Sequence, residues 1–217
     1  MTTYPITKAL PMNHKAFTVT AASSYREYVA AAPEQRQILQ VRYAEVRFSP
    51  EQQNFLVNFP DVLNLVLVVS EDAPETAVIL PILVRITEIS PRLILRILRD
   101  TDDLTLLESA VDEIDFRDDE LDFPVLLIFD EEWNWQAQWG PQPAAAESYL
   151  DQWLGEHSNY EELAVSEDLQ DQEEYWFLTD QLLYDMRVWY NSALDQECIS
   201  EICELLTSLS NDDEAAE

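Results

Sequence analysis

A proline introduces a long apolar run in the segment Leu121-Asp122-Phe123-Pro124-Val125-Leu126-Leu127-Ile128-Phe129-Asp130. Proline lacks the backbone N–H that a central strand position needs, but it is tolerated at the first residue of a strand. The segment therefore predicts a buried β-strand over residues 125–129. The turn Asp130-Glu131-Glu132-Trp133-Asn134 and a short partner strand over residues 136–139 predict a hairpin with it.

Further periodic segments precede this strand. Residues 62–69 are apolar at nearly every position, as is typical of a strand covered on both faces. Residues 75–90 repeat apolar residues at helical spacing, and residues 93–99 alternate as a strand does. Thr101-Asp102-Asp103 is placed to cap a helix that runs to residue 114. This order of strands and helices predicts a βαβ core with right-handed crossovers.

The two ends of the chain predict helices around this core. Ser24 and Glu27 have capping-box spacing, and so do Ser49 and Gln52, with Pro50 in the first turn between them. Residues 1–22 lack periodicity and are expected to form a loose N-terminal arm, and residues 23–155 the main domain. Residues 156–217 are acidic and carry apolar stripes at 175–193 and 199–209, which predict a helical hairpin packed on the core, with packing on a partner as the alternative.

This arrangement resembles the thioredoxin superfamily, in which a buried strand, a short loop and a helix with an internal proline (here Pro81) are followed by a proline-led strand. The run Phe129-Asp130-Glu131-Glu132, followed by Trp139-Gly140-Pro141-Gln142-Pro143, is similar to a bacterial group of thioredoxin-like proteins with a Trp-Gly-Pro-Arg-Pro signature. The resemblance implies an α/β thioredoxin-like fold: a four-stranded mixed sheet flanked by helices, with a cis Phe123–Pro124 bond. It does not extend to residues 156–217, which form an acidic helical extension.

The resemblance also locates the position where thiol chemistry would occur. Thioredoxin-like oxidoreductases carry Cys-x-x-Cys at the N-terminus of the first core helix, where the helix dipole stabilises a thiolate. Counting back eight residues from Pro81, as in those enzymes, places Ala73-Pro74-Glu75-Thr76 in this slot, and neither alanine nor threonine can supply a thiolate. The resemblance thus implies no catalytic residue, and a vestigial active-site loop and peptide groove at Asp72, Ala73, Pro74, Thr76, Phe123 and Pro124.

The only sulfhydryl groups of the sequence lie in the acidic extension, at Cys198 and Cys203. Residues five apart on an unbroken helix have Cα atoms roughly 8–9 Å apart, beyond the disulfide limit of about 7 Å. We therefore expect both cysteines to act as small, buried or half-buried hydrophobic residues. The alternative is a redox pair that requires local unfolding.

Charge distinguishes the two halves of the chain. The net charge is −31, of which −5 falls on residues 1–117 and −26 on residues 118–217. This surface repels nucleic acid and anionic membranes, so we expect either simple solvation of the acidic face or docking of a protein partner, possibly a basic one. No apolar run reaches the roughly 18 residues of a membrane span, and no secretory signal is evident, so the expected location is the cytoplasm.

Other kinds of site have weaker support. The two histidines lack metal-ligand spacing and two glycines cannot build a phosphate loop, so we expect no metal and no cofactor. Glu71-Asp72 and Asp130-Glu131-Glu132 are expected to be solvated loop clusters, with cation binding as the alternative. Trp133, Trp135 and Trp139 alternate, which predicts one shared face under the C-terminal helix; an exposed aromatic platform is the alternative.

Together these features favour a redox-inactive, thioredoxin-like protein-binding or structural module over an enzyme. Two alternatives stay open. The first is a diverged thiol-disulfide oxidoreductase or redox sensor that uses Cys198 and Cys203. The second is an acidic decoy for a basic nucleic-acid-binding protein. The sequence carries no signal for the pathway, the identity of the partner or the oligomeric state.

Overall fold

The structure is a computed structural model that describes residues 22–111, 114–116 and 121–214, and the side chains up to Ser210. Most of the predicted N-terminal arm, residues 1–21, lies outside this range. The helices are α1 (Tyr25–Ala31), α2 (Arg36–Glu45), α3 (Pro50–Val57), α4 (Pro74–Ile89), α5 (Thr105–Glu108), α6 (Glu147–Glu156), α7 (Tyr160–Ala164), α8 (Leu169–Trp189) and α9 (Asp195–Glu214). The strands are β1 (Leu63–Val69), β2 (Leu93–Arg99), β3 (Val125–Phe129) and β4 (Trp135–Trp139).

The four strands form one mixed sheet in the order β2-β1-β3-β4. β1 and β2 pair in parallel through the crossover helix α4, whereas β3 is antiparallel to both β1 and β4. All residues of the central strands β1 and β3 are buried, because helices or loops cover both faces of the sheet. The predicted four-stranded α/β fold is therefore confirmed.

Two hydrophobic clusters lie on opposite faces of the sheet. The larger cluster combines one face of the sheet with buried residues of α1–α4 and of the C-terminal helices as far as Leu206. The smaller cluster contains Val66, Leu127 and Phe129 from the sheet and Leu107 from α5. The C-terminal helices thus complete the larger core, as the apolar stripes predicted.

The local start signals of the N-terminal helices are confirmed. Ser24 and Ser49 each accept a hydrogen bond from the backbone N–H three residues on, and the side chains of Glu27 and Gln52 bond back to the caps. The helix predicted to run to residue 114 is instead a single turn, Thr105–Glu108, because the chain leaves the helix at Ser109. Val111 is nevertheless buried in the smaller cluster.

The predicted helical hairpin in residues 156–217 is wrong. α8 passes into α9 through a five-residue π-helical segment, Tyr190–Leu194, with no turn between the two helices. The segment changes the helical register, so that Tyr190 and Leu194 on it and Cys198 on α9 all enter the core. Both predicted stripes therefore belong to one long, locally widened helix, and no helix in the described part of the chain could span a membrane.

A buried polar network attaches this widened segment to α2. The Arg42 side chain is fully buried and donates hydrogen bonds to Asp195 and to Asn191, both at 2.5 Å. Asn191 donates in turn to Glu45, which also accepts from Arg187 of α8. A buried guanidinium needs such partners, since leaving it unpaired costs several kcal/mol, about 3–5 for a broken buried ion pair.

The prediction that three tryptophans share one face is wrong for two of them. A β-bulge between β3 and β4 pairs Trp135 with Phe129, on the face of the smaller cluster. Trp133 lies in the turn with φ of +66° and is buried in the same cluster. Only Trp139 packs on the larger core, where its indole N–H donates to Glu201 of α9 at 2.9 Å.

One side of α8 does not face the core. Five large apolar side chains on α8 are exposed: Leu169, Trp176, Phe177, Tyr184 and Val188. Trp176 belonged to the predicted core stripe, so that part of the prediction is wrong. The helix is apolar around most of its circumference, and helical periodicity alone could not assign its buried side.

Candidate functional site

The tip of α4 consists of the residues that sequence analysis placed in the Cys-x-x-Cys slot. α4 begins at Pro74, with Ala73 as its N-cap and no side-chain capping hydrogen bond. Thr76 is fully buried, and its hydroxyl donates to the carbonyl oxygen of Ser70 at 2.8 Å. The two slot positions therefore present a methyl group and an already bonded hydroxyl.

A cavity of about 340 Å³ opens beside this tip. Five chain segments form its wall: the loop before α4, the first turn of α4, the loop before β3, the turn after β4 and α6. Its lining residues are Ser70, Asp72, Ala73, Glu75, Leu121, Asp122, Phe123, Pro141, Gln142 and Leu150. Of the six predicted site residues, Asp72, Ala73 and Phe123 line the cavity, whereas Pro74, Thr76 and Pro124 do not.

The turn after β4 approaches the start of β3 very closely. Phe123–Pro124 is a cis peptide bond, as the resemblance implied, and Gly140–Pro141 is also cis. Gly140 has φ of +126°, and a Cβ at this position would lie 2.3 Å from the carbonyl oxygen of Pro124. Only glycine fits both the backbone angle and the space. The Trp-Gly-Pro sequence thus has a direct structural role at the cavity.

A single carboxylate on α9 holds both sides of this turn. Glu201 accepts a hydrogen bond from the Trp139 indole at 2.9 Å and another from the backbone N–H of Ala144 at 2.8 Å. These two contacts connect the residues before and after Gly140-Pro141 to the C-terminal helix. The acidic extension therefore helps to position one wall of the cavity.

Three carboxyl groups line the cavity, at Asp72, Glu75 and Asp122, and none of the lining residues is basic. Burial raises the pKa of Glu75 to about 7; a hydrogen bond from its own backbone N–H opposes the effect, and the charge of Asp122 adds to it. Glu75 therefore changes charge near neutral pH. The cavity is suited chemically to a ligand with a positive charge.

The other predicted acidic clusters are engaged within the chain. Glu71 pairs with Arg99, with 2.8 Å between Oε1 and Nε. Asp130 accepts hydrogen bonds from the backbone N–H groups of Glu132 and Asn134, both at 2.8 Å, which fixes the hairpin turn. Within the described residues, no group of three or more His, Cys, Asp or Glu side chains could hold a metal ion.

The cysteines lie far along the chain from the α4 tip, and both are free thiols on α9. Cys198 is fully buried in the larger core, and burial raises the pKa of its thiol well above the usual value. Cys203 is half-buried, and burial raises its pKa to about 11. Neither thiol has the lowered pKa that reactive cysteines show.

Sequence reasoning missed two features of the cavity. Glu75 was noted only as one residue of the slot, because an acidic residue in the first turn of a helix is common and does not reveal burial. Gln142, whose side-chain oxygen is buried without a hydrogen-bond partner among the described residues, likewise carried no signal in the sequence. Its position follows from the turn at Gly140, which periodicity does not describe.

The mixed four-stranded sheet flanked by helices is that of a thioredoxin-like α/β fold. A thioredoxin family model matches residues 22–154. This match covers more than half of the chain, which therefore belongs to the thioredoxin family. The acidic extension lies outside the matched residues. No curated protein sequence matches the chain.

Two solved structures resemble the whole fold, including the extension. One is an HIV epitope scaffold, 13% identical, with a TM-score of 0.56 over 90% of this chain and 98% of that one. The other is a protein of unknown function from Pseudomonas aeruginosa, 14% identical, with a TM-score of 0.52 over 86% of this chain and 98% of that one. At these identities the similarity concerns the fold alone.

Proposed function

We propose that this protein is a redox-inactive member of the thioredoxin family that binds a protein partner at the cavity beside α4. The observation that carries the proposal is the pairing of an open cavity with sulfur-free slot positions, Ala73 and Thr76. A dithiol mechanism requires a thiolate at this place, whereas peptide binding requires only the walls. The Trp-Gly-Pro resemblance to bacterial thioredoxin-like proteins agrees with retention of these walls.

The charge of the cavity favours a basic partner. Asp72, Glu75 and Asp122 line it without a neutralising cation among the lining residues, in a chain whose net charge is −31. A lysine- or arginine-bearing peptide segment complements this lining, and long-range attraction by the acidic surface speeds its association. The cytoplasm is the location that the sequence favours for such a module.

The redox alternative at Cys198 and Cys203 has less support. Burial of both thiols and their raised pKa values oppose thiolate formation at neutral pH. The acidic-decoy alternative rests on charge alone, and no described contact favours a nucleic-acid-binding protein over another basic protein.

The test measures the affinity of a fluorescent lysine- and arginine-rich peptide by anisotropy. We expect the variant Asp72→Asn/Glu75→Gln/Asp122→Asn to bind about tenfold more weakly than the wild type. The matched control is Glu131→Gln/Glu132→Gln/Glu161→Gln, which replaces the same number of carboxyl groups at exposed positions outside the cavity. Equal weakening in both variants would show non-specific attraction and contradict binding at the cavity.

A further inference from the structure

A second groove lies between α6 and α8 and shares no lining residue with the cavity beside α4. Its volume is about 320 Å³. Its lining combines three aromatic rings, two carboxylates and one amide: Tyr149, Trp153, Trp189, Asp185, Glu156 and Gln152. Aromatic faces and carboxylates together are the surroundings in which proteins bind organic cations.

The aromatic rings of Tyr149 and Trp189 form an open wall of the groove. Their centroids are 5.6 Å apart, and their planes are tilted by 45°, so neither ring covers the face of the other completely. Tyr149 is 36% exposed and Trp189 is half-buried, which leaves ring surface accessible from the groove. A cation within about 6 Å of such a ring centroid is attracted by the electron-rich face.

The two carboxylates are held in place but keep accepting capacity. Asp185 accepts at Oδ2 from the Trp153 indole N–H at 3.2 Å, and Glu156 accepts at Oε1 from Gln152 at 3.1 Å. In the described part of the chain, neither carboxylate pairs with an arginine, a lysine or a histidine. The two carboxylates of the groove are therefore held in position by hydrogen bonds, and no basic side chain among the described residues neutralises them.

Among the described residues, no basic side chain lines the groove. After Arg117 the sequence contains one arginine, Arg187, and no lysine. Arg187 is engaged by Glu45 on α2 and does not line the groove. A cationic group brought to the groove would therefore meet two carboxylates, Asp185 and Glu156, that no lining residue neutralises.

We propose that this groove binds the side-chain ammonium group of a lysine on a partner protein. A guanidinium prefers a planar, bidentate contact with a single carboxylate, whereas this groove offers two carboxylates on different helices, Glu156 on α6 and Asp185 on α8. An ammonium group has three donors and can use the remaining oxygen of each carboxylate while its methylene groups contact the aromatic wall. The proposal does not depend on the cavity beside α4, because the two sites have separate linings.

The test follows the indole N–H signals of Trp153 and Trp189 by NMR during titration of the full chain with Nα-acetyl-lysine N-methylamide. We expect saturable shifts of both signals and none with the norleucine analogue, which has a neutral side chain of similar length. Glu156→Gln, at an exposed position, and Trp189→Leu should each weaken binding about fivefold. The matched control is Tyr184→Leu, an exposed aromatic residue of α8 outside the groove, which should leave the affinity unchanged.

Three results would overturn the proposal. Equal shifts with the norleucine analogue would show that binding does not need the positive charge. If Tyr184→Leu and Glu156→Gln weaken binding equally, the lysine probe does not bind at the groove. Binding of a free diamine at least tenfold tighter than the lysine probe would identify a small amine, and not a partner's lysine, as the ligand. The result for Trp189→Leu counts only if its circular dichroism spectrum matches that of the wild type. If the spectrum changes, the result for Glu156→Gln decides the test.

Discussion

The tip of α4 and the first turn of α9 each have one part of what a thioredoxin active site combines in one place. At the α4 tip, Ala73 adjoins an open cavity and a helix N-terminus, but there is no sulfur. On α9, Cys198 has the sulfur but is fully buried within a helix. One region has the environment without the nucleophile, and the other has the nucleophile without the environment.

This difference shows that cysteine content alone says little about thiol chemistry. A reactive thiol needs solvent access and a local field that stabilises the thiolate, and the N-terminus of a helix supplies that field. Cys198 and Cys203 lie inside α9, and both thiols have raised pKa values. Chemistry in this fold is thus decided by position, and the following predictions test that statement.

The largest effect should come from placing sulfur at the α4 tip. The double variant Ala73→Cys/Thr76→Cys should reduce insulin about a hundredfold faster than the wild type, because the helix N-terminus lowers the pKa of the introduced thiol at position 73. The rate of insulin reduction by the wild type should not exceed that of the variant Cys198→Ser/Cys203→Ser. The measurement is the turbidity assay of insulin reduction with dithiothreitol as the reductant.

Ala73→Cys alone is the matched control, since one thiol cannot complete a dithiol exchange. Two results would count against the comparison. The first is turnover by the wild type above the cysteine-free variant. The second is a folded double variant whose introduced thiols have no lowered pKa, which would mean that the α4 tip has lost the environment as well as the sulfur.

A smaller effect should come from Glu75, the titrating group at the same tip. Its pKa of about 7 in the folded protein exceeds the ordinary value of 4.5, so the folded state binds more protons than the unfolded state between these values. The contribution of Glu75 to the free energy of unfolding should therefore fall as the pH rises from 4.5 to 7. Glu75→Gln should remove this loss and gain about 3 kcal/mol relative to the wild type between pH 4 and pH 8.

The measurement is urea unfolding of both proteins across this pH range. Asp72→Asn is the control, because Asp72 lines the same cavity but is exposed and keeps its hydration. A constant difference between Glu75→Gln and the wild type at all pH values would show that the carboxyl of Glu75 is solvated, and that the cavity lacks the proposed character.

The smallest effect should come from removing sulfur on α9. Cys198→Ser places a hydroxyl in a fully buried apolar site and should destabilise the protein by about 1.5 kcal/mol. Cys203→Ser, at a half-buried site on the same helix, should cost less than about 0.5 kcal/mol. Urea unfolding measures both, and maleimide labelling of the native protein should modify Cys203 before Cys198. Equal costs, or faster labelling of Cys198, would contradict a packing role for the buried thiol.

Sequence reasoning succeeded where the determining interaction is local. The apolar run before Ser70 predicted the buried strand β1, and the spacing of Ser24 and Ser49 from their acceptor partners predicted two helix starts. Counting back from Pro81 located Ala73 at the tip of α4, since a fixed helix relates the two positions. These features depend on a few neighbouring residues, so periodicity and spacing were sufficient.

It failed where the determining interaction joins distant parts of the chain. The bulge that turns Trp135 to the smaller cluster shifts strand register by one residue, which alternation along β4 cannot show. The π-helical segment between α8 and α9 coincides with bonds from Arg42, about 150 residues earlier, to Asn191 and Asp195. The raised pKa of Glu75 likewise depends on burial by elements remote in sequence.

The two hydrogen bonds that Glu201 accepts link the C-terminal helix α9 to the turn beside the cavity. Trp139 and Ala144 flank Gly140, where the backbone lies close to the carbonyl oxygen of Pro124, and the side chain of Glu201 accepts a hydrogen bond from each of them. The C-terminal helix α9 thus stabilises a turn that lies some sixty residues earlier in the chain, since Glu201 is 62 residues from Trp139. Truncation of the chain before α9 would remove both hydrogen bonds to Glu201 and change the shape of the cavity, although no residue of α9 lines it.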